Sequence, residues 1–241
     1  MTPHTEAGPP AAVAGAGSTD FFVIGTDTGV GKTFVSCALL HVLAQRHARV
    51  CGMKPVASGA VRTADGWLSD DALALRACST VSVPAALDNP ILLPEPVSPA
   101  IAADHAHVEI DIEFLAQTYR RLRARADAVV VEGAGGFHVP LNDRHTGADL
   151  AVAMGLPVVL VVGLRLGCLN HALLTAECVK ARGLRLAGWV ANHVDPDFLF
   201  ADENVAWLAR HLDAPCWAEL PYDPTVDPVA ASRRFAAMLV A

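Results

Sequence analysis

Short apolar runs alternate with segments of helical periodicity along most of the chain. FFVIG at residues 21–25 and AVVV at residues 128–131 are apolar throughout rather than at every second position. Strands of this kind are buried on both faces, as in parallel sheets whose crossover helices cover both sides. The pattern predicts an α/β fold: a doubly wound, mostly parallel sheet with helices on both faces.

The bounds of the predicted elements follow from the same alternation. Strands are predicted at residues 21–25, 48–55, 128–132, 157–162, 186–192 and 216–220. Helices are predicted at residues 33–47, 70–78, 111–126, 147–154, 168–182, 199–212 and 229–239. Residues 89–99, NPILLPEPVSP, are predicted to be a loop. Residues 1–19, rich in Ala, Gly and Pro, are predicted to be a disordered tail, and residues 20–241 a single domain.

Composition argues against membrane, nucleic-acid-binding and disulfide-bonded classes. The longest apolar run, residues 151–164, is interrupted by Gly155 and Pro157 and has only 14 residues, whereas a spanning helix needs about 18. The net charge is −7 and no basic stripe stands out, so neither a membrane nor a nucleic-acid partner is expected. Six cysteines without a C-x-x-C pair favour free thiols in a reducing cytoplasm.

The stretch GTDTGVGKT, residues 25–33, follows the first predicted strand and opens the first long helix. This is the context of a phosphate-binding P-loop, in which backbone N–H groups and the helix N-terminus hold phosphate. Its spacing departs from the usual pattern, because five residues rather than four separate the outer glycines. Lys32 would reach the β- and γ-phosphates, and the Thr33 hydroxyl would ligate Mg²⁺. The expected ATP contacts of this stretch are Gly29, Val30, Gly31, Lys32, Thr33 and Phe34.

Charged residues lie where predicted strands end or a helix begins. Lys54 follows the second strand, Glu132 ends the strand AVVVE, and Asp70 and Asp71 stand in the first turn of a short helix. Ligands of such sheets bind beyond the carboxyl ends of the strands, so Lys54 would point into the crevice that holds Lys32. Thr33 and Glu132, with an aspartate from this helix start, offer the oxygen ligands that Mg²⁺ prefers. An Asp in a first turn also simply favours the helix dipole, so both interpretations of Asp70 and Asp71 stay open.

Seven stretches, taken together and in order, closely resemble the ATP-dependent dethiobiotin synthetases, a family of P-loop enzymes. The similarity runs from about residue 20 to about residue 225. Any one motif could arise by chance, but the ordered set is specific. The stretches are GTDTGVGKT, GMKPVASG, SDDALAL, PVSPAIAA, VVVEGAGG, VVGLRLGCLNHALLT and GWVANHVDP.

The resemblance implies the closure of a cyclic urea on 7,8-diaminononanoate with CO₂ and Mg-ATP. One substrate amine becomes a carbamate, the carbamate attacks the γ-phosphate, and the second amine then attacks the resulting carbamic–phosphoric anhydride. Positive charge must bring these two anions together, and Lys32 and Lys54 are the candidate catalytic residues for that task.

The resemblance also extends the set of ATP contacts. Small residues after Glu132 let the backbone approach the nucleotide closely. Asn192 resembles the family residue that recognises adenine through its amide, and the neighbouring position is often polar or acidic in the family. Of the two aspartates at the start of the short helix, Asp71 aligns with the family's metal and ATP contact. The further contacts are Gly133, Ala134, Gly135, Asn192, His193 and Pro221.

The substrate contacts implied by the resemblance come from two regions. Thr28 and Ser58, with Lys54, would contact the diamine or its carbamate. The helix start LGCLN would bind the substrate carboxylate through backbone N–H groups and, in the family, reaches the site from the neighbouring subunit. A homodimer with two shared active sites follows, and Cys168 would be a backbone contact rather than a nucleophile. The residues at this helix start are Gly167, Cys168, Leu169 and Asn170.

Two other functions remain open from the sequence. A partitioning or targeting ATPase would use the same loop as a nucleotide switch, but such proteins usually carry a second lysine early in the loop, where this chain has Thr26, Asp27 and Thr28. Another synthetase of the same fold would share the loop and differ in its acceptor. The stretches GMKPVASG and LGCLNH favour the diamine enzyme.

Overall fold

The computed structural model of the protein describes residues 19–63 and 66–235. Its strands are β1 (Phe21–Gly25), β2 (Val50–Met53), β3 (Val56–Ser58), β4 (Val61–Thr63), β5 (Gly66–Leu68), β6 (Ile91–Leu93), β7 (Ala128–Gly136), β8 (Val158–Leu164), β9 (Leu186–His193) and β10 (Cys216–Leu220). Its helices are α1 (Lys32–Ala44), α2 (Asp70–Cys78), α3 (Ala85–Asp88), α4 (Pro99–Ala106), α5 (Ile112–Arg123), α6 (Gly147–Met154), α7 (Cys168–Ala181), α8 (Ala201–His211) and α9 (Pro228–Ser232).

Six parallel strands form the central sheet, in the order β10-β9-β8-β1-β7-β2. Along β1, Phe22 and Ile24 enter the core on one face, and Phe21 and Val23 enter the core on the other. Because both faces are covered, the strand has no polar position. The predicted doubly wound, mostly parallel sheet is confirmed.

The helices divide between the two faces according to the direction in which the chain moves along the sheet. From β1 to β2 the chain moves toward one edge, and α1 packs on the face that buries Phe21. From β7 to β10 it moves toward the other edge, and α6, α7 and α8 pack on the face that buries Phe22. Crossovers of one hand require this reversal. The two directions part at β1, so the ligand crevice is expected beyond its carboxyl end.

The predicted helices and strands are present, with differences at their ends. β1, α2, α6 and β10 have the predicted bounds. Helix α1 begins one residue earlier and ends three residues earlier than predicted, and β2 is two residues shorter at each end. Strand β7 continues to Gly136, four residues beyond its predicted end. The other elements described in full shift by one to three residues, within the usual fraying of element ends.

The prediction of a loop over residues 89–99 was wrong. The stretch contains β6, which pairs in parallel with β3, and it ends where α4 begins. Strands of three residues carry no periodic signal, so nothing in the local pattern separated them from loop. The start of α4 did carry a helix-start signal, because Ser98 is its N-cap and Pro99 is its first residue, a common way for a helix to begin. The hairpin of β4 and β5 and the short α3 were also not predicted.

Both ends of the chain lie partly outside the described residues. Residues 1–18 of the predicted tail and residues 236–239 of the predicted last helix fall there. Within the described residues that helix, α9, ends at Ser232, so the prediction of helix over residues 233–235 was wrong. Thr19, at the end of the predicted tail, donates its hydroxyl to the carbonyl oxygen of Asp127 at 3.0 Å. Within residues 19–63 and 66–235, no helix has the length and apolar character needed to cross a membrane.

Candidate active site

Most of the predicted phosphate-side residues converge beyond the carboxyl ends of β1, β2 and β7. They line an open cavity of about 830 Å³, which is within the range of small-molecule sites. The phosphate loop and the start of α1 form one wall, and Lys54, Asp71 and Glu132 form the base. Residues 96–99 form the opposite wall.

Two glycines give the phosphate loop its shape. Gly29 and Gly31 have φ angles of 73° and 88°, in the left-handed region that glycine adopts without strain. A Cβ on Gly31 would also lie 2.2 Å from Nδ2 of Asn192. On the inner side of the loop, Nζ of Lys32 donates to the carbonyl oxygen of Asp27 at 3.0 Å. Contacts within the chain itself therefore hold the loop and its lysine.

Lys54 joins two carboxylates at the base of the cavity. Its Nζ lies 2.6 Å from Oε1 of Glu132 and 2.7 Å from Oδ2 of Asp71. The Thr33 hydroxyl oxygen lies 2.8 Å from Asp71 Oδ1 and 2.9 Å from Glu132 Oε1. A hydroxyl has one proton, so Thr33 donates to only one of these carboxylates at a time. A hydroxyl and two carboxylates from three separate elements thus face one another.

This oxygen cluster suits Mg²⁺. Glu132 is 0% exposed, and its Oε2 has no hydrogen-bond partner among residues 19–63 and 66–235. A buried carboxylate oxygen without a partner is costly, so a cation ligand at this point would stabilise it. The same residues contain no cluster of three or more His, Cys, Asp or Glu side chains arranged for a metal. The chain therefore offers Thr33, Asp71 and Glu132, and phosphate oxygens and water would complete the shell, as Mg²⁺ usually requires.

Burial and neighbouring charges shift three pKa values in the cluster. Burial, together with the charge on Lys54, lowers the pKa of Lys32 to about 8, against the opposing pull of Glu132 and Asp71. Burial also disfavours the charged form of Lys54, but the two carboxylates outweigh burial and raise the pKa of Lys54. Burial alone would raise the pKa of Asp71, but the Lys54 ammonium has the larger effect, and the pKa of Asp71 is lowered. Lys54 therefore keeps its charge at neutral pH, whereas Lys32 titrates at about pH 8.

A second cavity, of about 360 Å³, adjoins the first beyond Gly29 and Phe34. Asn192, His193 and Pro221, the residues expected on the adenine side, all line it. The Asn192 amide nitrogen donates to the carbonyl oxygen of Val30 at 2.8 Å, which ties the end of β9 to the phosphate loop. Nε2 of His193 lies 2.9 Å from Oε1 of Glu219. Most of the predicted nucleotide residues therefore line one or other of two neighbouring cavities, which share Gly29 and Phe34.

The structure does not bring every expected residue to these cavities. Gly133 lies behind Glu132, where a Cβ would meet the Phe22 ring at 3.0 Å, so its small size serves packing within the sheet. At the start of α7, the side chain of Cys168 is buried, and burial raises the pKa of its thiol, which makes it a poor nucleophile. None of Gly167, Cys168, Leu169 and Asn170 lines either cavity.

Sequence reasoning missed the wall formed by residues 96–99. Val97 and Ser98 line the cavity there, and Val56 and Val139 do so from β3 and the turn after β7. The Ser-Pro pair that begins α4 could have indicated the wall, since it marks a helix start after a proline-rich loop. Nothing in the local pattern indicated that this helix start faces the P-loop.

Comparisons with known proteins agree with this geometry. Residues 19–230 match the family described as AAA domain. Among solved structures, the MinC:MinD cell division complex of Aquifex aeolicus has a TM-score of 0.59 at 16% identity, over 92% of this chain and 96% of that one. The cell division ATPase MinD of Pyrococcus furiosus has a TM-score of 0.53 at 19% identity, over 92% and 98%. Likeness at such low identity shows the fold alone.

A curated relative extends the comparison from fold to family. The ATP-dependent dethiobiotin synthetase BioD of Aromatoleum aromaticum is 53% identical over 216 residues, which is 89% of this chain and 96% of that protein. The chain belongs to the family of ATP-dependent dethiobiotin synthetases.

Proposed function

We propose that the protein closes the ureido ring of dethiobiotin from 7,8-diaminononanoate, CO₂ and Mg-ATP, releasing ADP and phosphate. The observation that carries the proposal is the cluster of Lys54, Asp71, Glu132 and Thr33 beside a P-loop lysine, in a cavity roomy enough for both phosphates and an acceptor. Membership of the synthetase family supports it.

The reaction balances in three steps. A neutral substrate amine adds to CO₂ and loses a proton to give a carbamate. A carbamate oxygen then attacks the γ-phosphorus of ATP, and ADP leaves. The second amine finally attacks the carbamate carbon, loses a proton, and expels inorganic phosphate, which closes the five-membered ring. Both amines must be neutral when they attack, so this part of the reaction is favoured at alkaline pH.

Two lysines would bring the anionic carbamate to the anionic phosphate. Lys32 lies within the P-loop and would hold the β- and γ-phosphate oxygens. Lys54 comes from the adjoining strand end, is 4% exposed, and keeps its charge because of Glu132 and Asp71. Fixed charges in a site with little water stabilise the charge that develops on the transferred phosphoryl group.

Bound Mg²⁺ would neutralise phosphate charge and help to align the transferred group. The residues that would hold it are Thr33, Asp71 and Glu132. Ser58 would contact the carbamate or the diamine: its Oγ is buried and has no partner among the described residues, so it is available to a substrate. Thr28 lines the same cavity from the loop.

The remaining substrate contact would come from a second copy of the chain. The Cys168 N–H donates to the carbonyl oxygen of Arg165 at 3.0 Å, so we expect it to contribute less to anion binding than the other N–H groups of this helix start. The first turn of a helix presents N–H groups that its own carbonyl groups do not use, and those at the start of α7, with Asn170 the candidate, would bind the substrate carboxylate. We infer a homodimer in which α7 of each protomer completes the partner's site.

All six cysteines are free thiols, which supports a cytoplasmic location.

A product assay tests the proposed function. Purified protein is mixed with 7,8-diaminononanoate, bicarbonate and Mg-ATP, and dethiobiotin is measured by mass spectrometry while each component is omitted in turn. The proposal requires product that depends on all of them. ATP turnover without dethiobiotin, in folded protein, would contradict it and leave a nucleotide switch or another acceptor.

A further inference from the structure

Both backbone polar groups of Lys54 are bound by two consecutive residues from outside the central sheet. The Lys54 N–H donates to the carbonyl oxygen of Asp88 at 2.7 Å. The Asn89 side-chain amide donates to the carbonyl oxygen of Lys54, also at 2.7 Å. Asn89 is 8% exposed, so this bond is protected from water. Asp88 and Asn89 therefore fix the peptide groups on either side of the Lys54 Cα.

The sheet itself gives Lys54 no such support. β2 is an edge strand, and its pairing with β7 ends at Met53 opposite Val131. Lys54 stands one residue beyond that ladder, and the following residue is Pro55, which has no N–H to donate. The position of the Lys54 backbone consequently depends on Asp88 and Asn89.

A partly buried ion pair links this support to the helix that carries Asp71, the carboxylate that Lys54 contacts. Nε and Nη2 of Arg76 donate to the two carboxylate oxygens of Asp88 at 2.6 and 2.7 Å. Arg76 belongs to α2, whose first turn carries Asp71. Helix α2 thus reaches Lys54 at two points: Asp71 binds the ammonium directly, and Arg76 holds Asp88, which binds the backbone. A bidentate arginine–carboxylate pair of this kind restricts the movement of α2 and of the segment that carries Asp88.

We propose that Asn89 and Asp88 are positioning residues that set the place of Lys54 relative to Asp71 and Glu132. The catalytic consequence rests on the proposed function, in which Lys54 must meet the carbamate and the γ-phosphate together. A displacement of about 1 Å in such a group can lower the rate by about 100-fold. Asn89 touches no part of the P-loop in this arrangement, so its removal acts on turnover rather than on nucleotide binding.

The chain has three lysines, Lys32, Lys54 and Lys180, so an NMR spectrum of protein labelled with ¹³C at lysine Cε contains three resolvable signals. In Asn89→Ala the Lys54 signal is expected to move, while the Lys180 signal stays in place. The matched control is Asn142→Ala, because the Asn142 amide also donates to a backbone carbonyl, that of Ile110, at 2.8 Å. A Lys54 signal at its wild-type position in Asn89→Ala would overturn the proposal. This readout does not depend on any activity.

Kinetics provide the second readout. Asn89→Ala is expected to lower kcat by about tenfold to 100-fold and to leave the dissociation constant of ADP within twofold. In a Lys54→Met background the same change should have little further effect, because the residue through which Asn89 acts is gone. Equal fold losses in both backgrounds would contradict a role through Lys54, as would a kcat no lower than that of Asn142→Ala.

Two outcomes of these experiments separate the inference from the function it rests on. If Asn89→Ala does not fold, Arg76→Gln tests the same support from a partly exposed position, and the Lys54 signal should again move. If the wild-type protein makes no dethiobiotin, the proposed function fails, while the lysine spectrum still decides whether Asn89 positions Lys54.

Discussion

The two ends of the proposed substrate site are built differently. At the phosphate end, Lys54 and Glu132 are almost fully buried and in direct contact, and Asp71 joins them from α2. At the carboxylate end, Leu166, just before α7, is 93% exposed, and Gly167 and Asn170 are also exposed, although Cys168 is buried. The first end lies within one chain, whereas the second end, in the proposed dimer, would come from the neighbouring subunit.

This difference separates two kinds of contribution. Charges enclosed at the phosphate end act strongly because little water screens them, and they act on the step in which phosphate is transferred. Amides at an exposed helix start act more weakly and recognise a carboxylate remote from the reacting atoms. Changes at the first end should therefore alter turnover, and changes at the second should alter affinity for the diamine.

The largest expected effect follows from Lys54→Met. The variant keeps most of the apolar stem but removes the charge, so kcat should fall by about 100- to 1000-fold. The two carboxylates also lose their partner, and the free energy of unfolding should drop by about 3 kcal/mol. Product formation and thermal unfolding measure the two effects. A variant with near wild-type kcat would remove Lys54 from the phosphoryl-transfer step.

Glu132→Gln should have the next largest effect. The amide cannot ligate Mg²⁺ as the carboxylate does, so kcat should fall about 100-fold and the Mg²⁺ concentration needed for half-maximal rate should rise. Glu113→Gln is the control, because Glu113 pairs with Arg120 on the exposed side of α5. An unchanged Mg²⁺ dependence in Glu132→Gln, with the control also unchanged, would argue against Glu132 as a ligand.

Asn170→Asp tests the other end. A negative charge at the start of α7 should repel the substrate carboxylate and raise the KM for 7,8-diaminononanoate about tenfold, with little change in the KM for ATP. Mixing this variant with Lys54→Met allows protomers to complement each other. If the site is shared, exchanged dimers assayed below KM should recover about one quarter of the wild-type rate, since half are mixed and each mixed dimer has one intact site. No recovery after demonstrated exchange would place α7 outside the partner's site.

The smallest expected effect concerns pH. The pKa of Lys32 is lowered to about 8 by burial and by Lys54, so near pH 8 about half the molecules lack this charge. Bound phosphates favour the charged form and raise that pKa, so nucleotide binding should take up about half a proton per site at pH 8. Nucleotide binding should therefore weaken as pH rises above 8. Calorimetry in two buffers of different ionisation enthalpy measures the uptake, and Lys32→Arg should abolish it.

The contrast between the two ends also explains what the sequence could predict. Local signals specify most of the phosphate end: a Gly-rich loop between strand and helix predicted Lys32, and charged residues at strand ends predicted Lys54 and Glu132. The family resemblance then singled out Asp71 from the two aspartates at a helix start. Parallel strands present their carboxyl ends at one edge of a sheet, so these residues were expected to lie together. The contacts of Lys54 and Thr33 with Asp71 and Glu132 agree with that expectation.

The residues that sequence reasoning missed act across long stretches of chain. Asn89 donates a hydrogen bond to Lys54 from 35 residues away along the chain, and the sequence around Asn89 indicated only a proline-rich loop. Ser98 faces the P-loop because β6 pairs with β3, and three-residue strands leave no periodic pattern. Their roles depend on tertiary contacts that no local propensity encodes.

Transfer of oxygen from CO₂ to phosphate tests the central claim most directly. The protein is supplied with C¹⁸O₂, 7,8-diaminononanoate and Mg-ATP, quenched before the label exchanges with water, and the phosphate is analysed by mass spectrometry. If a carbamate oxygen attacks the γ-phosphorus beside Lys32 and Lys54, each ring closed yields one phosphate that carries one ¹⁸O. Unlabelled phosphate formed together with dethiobiotin would contradict that route.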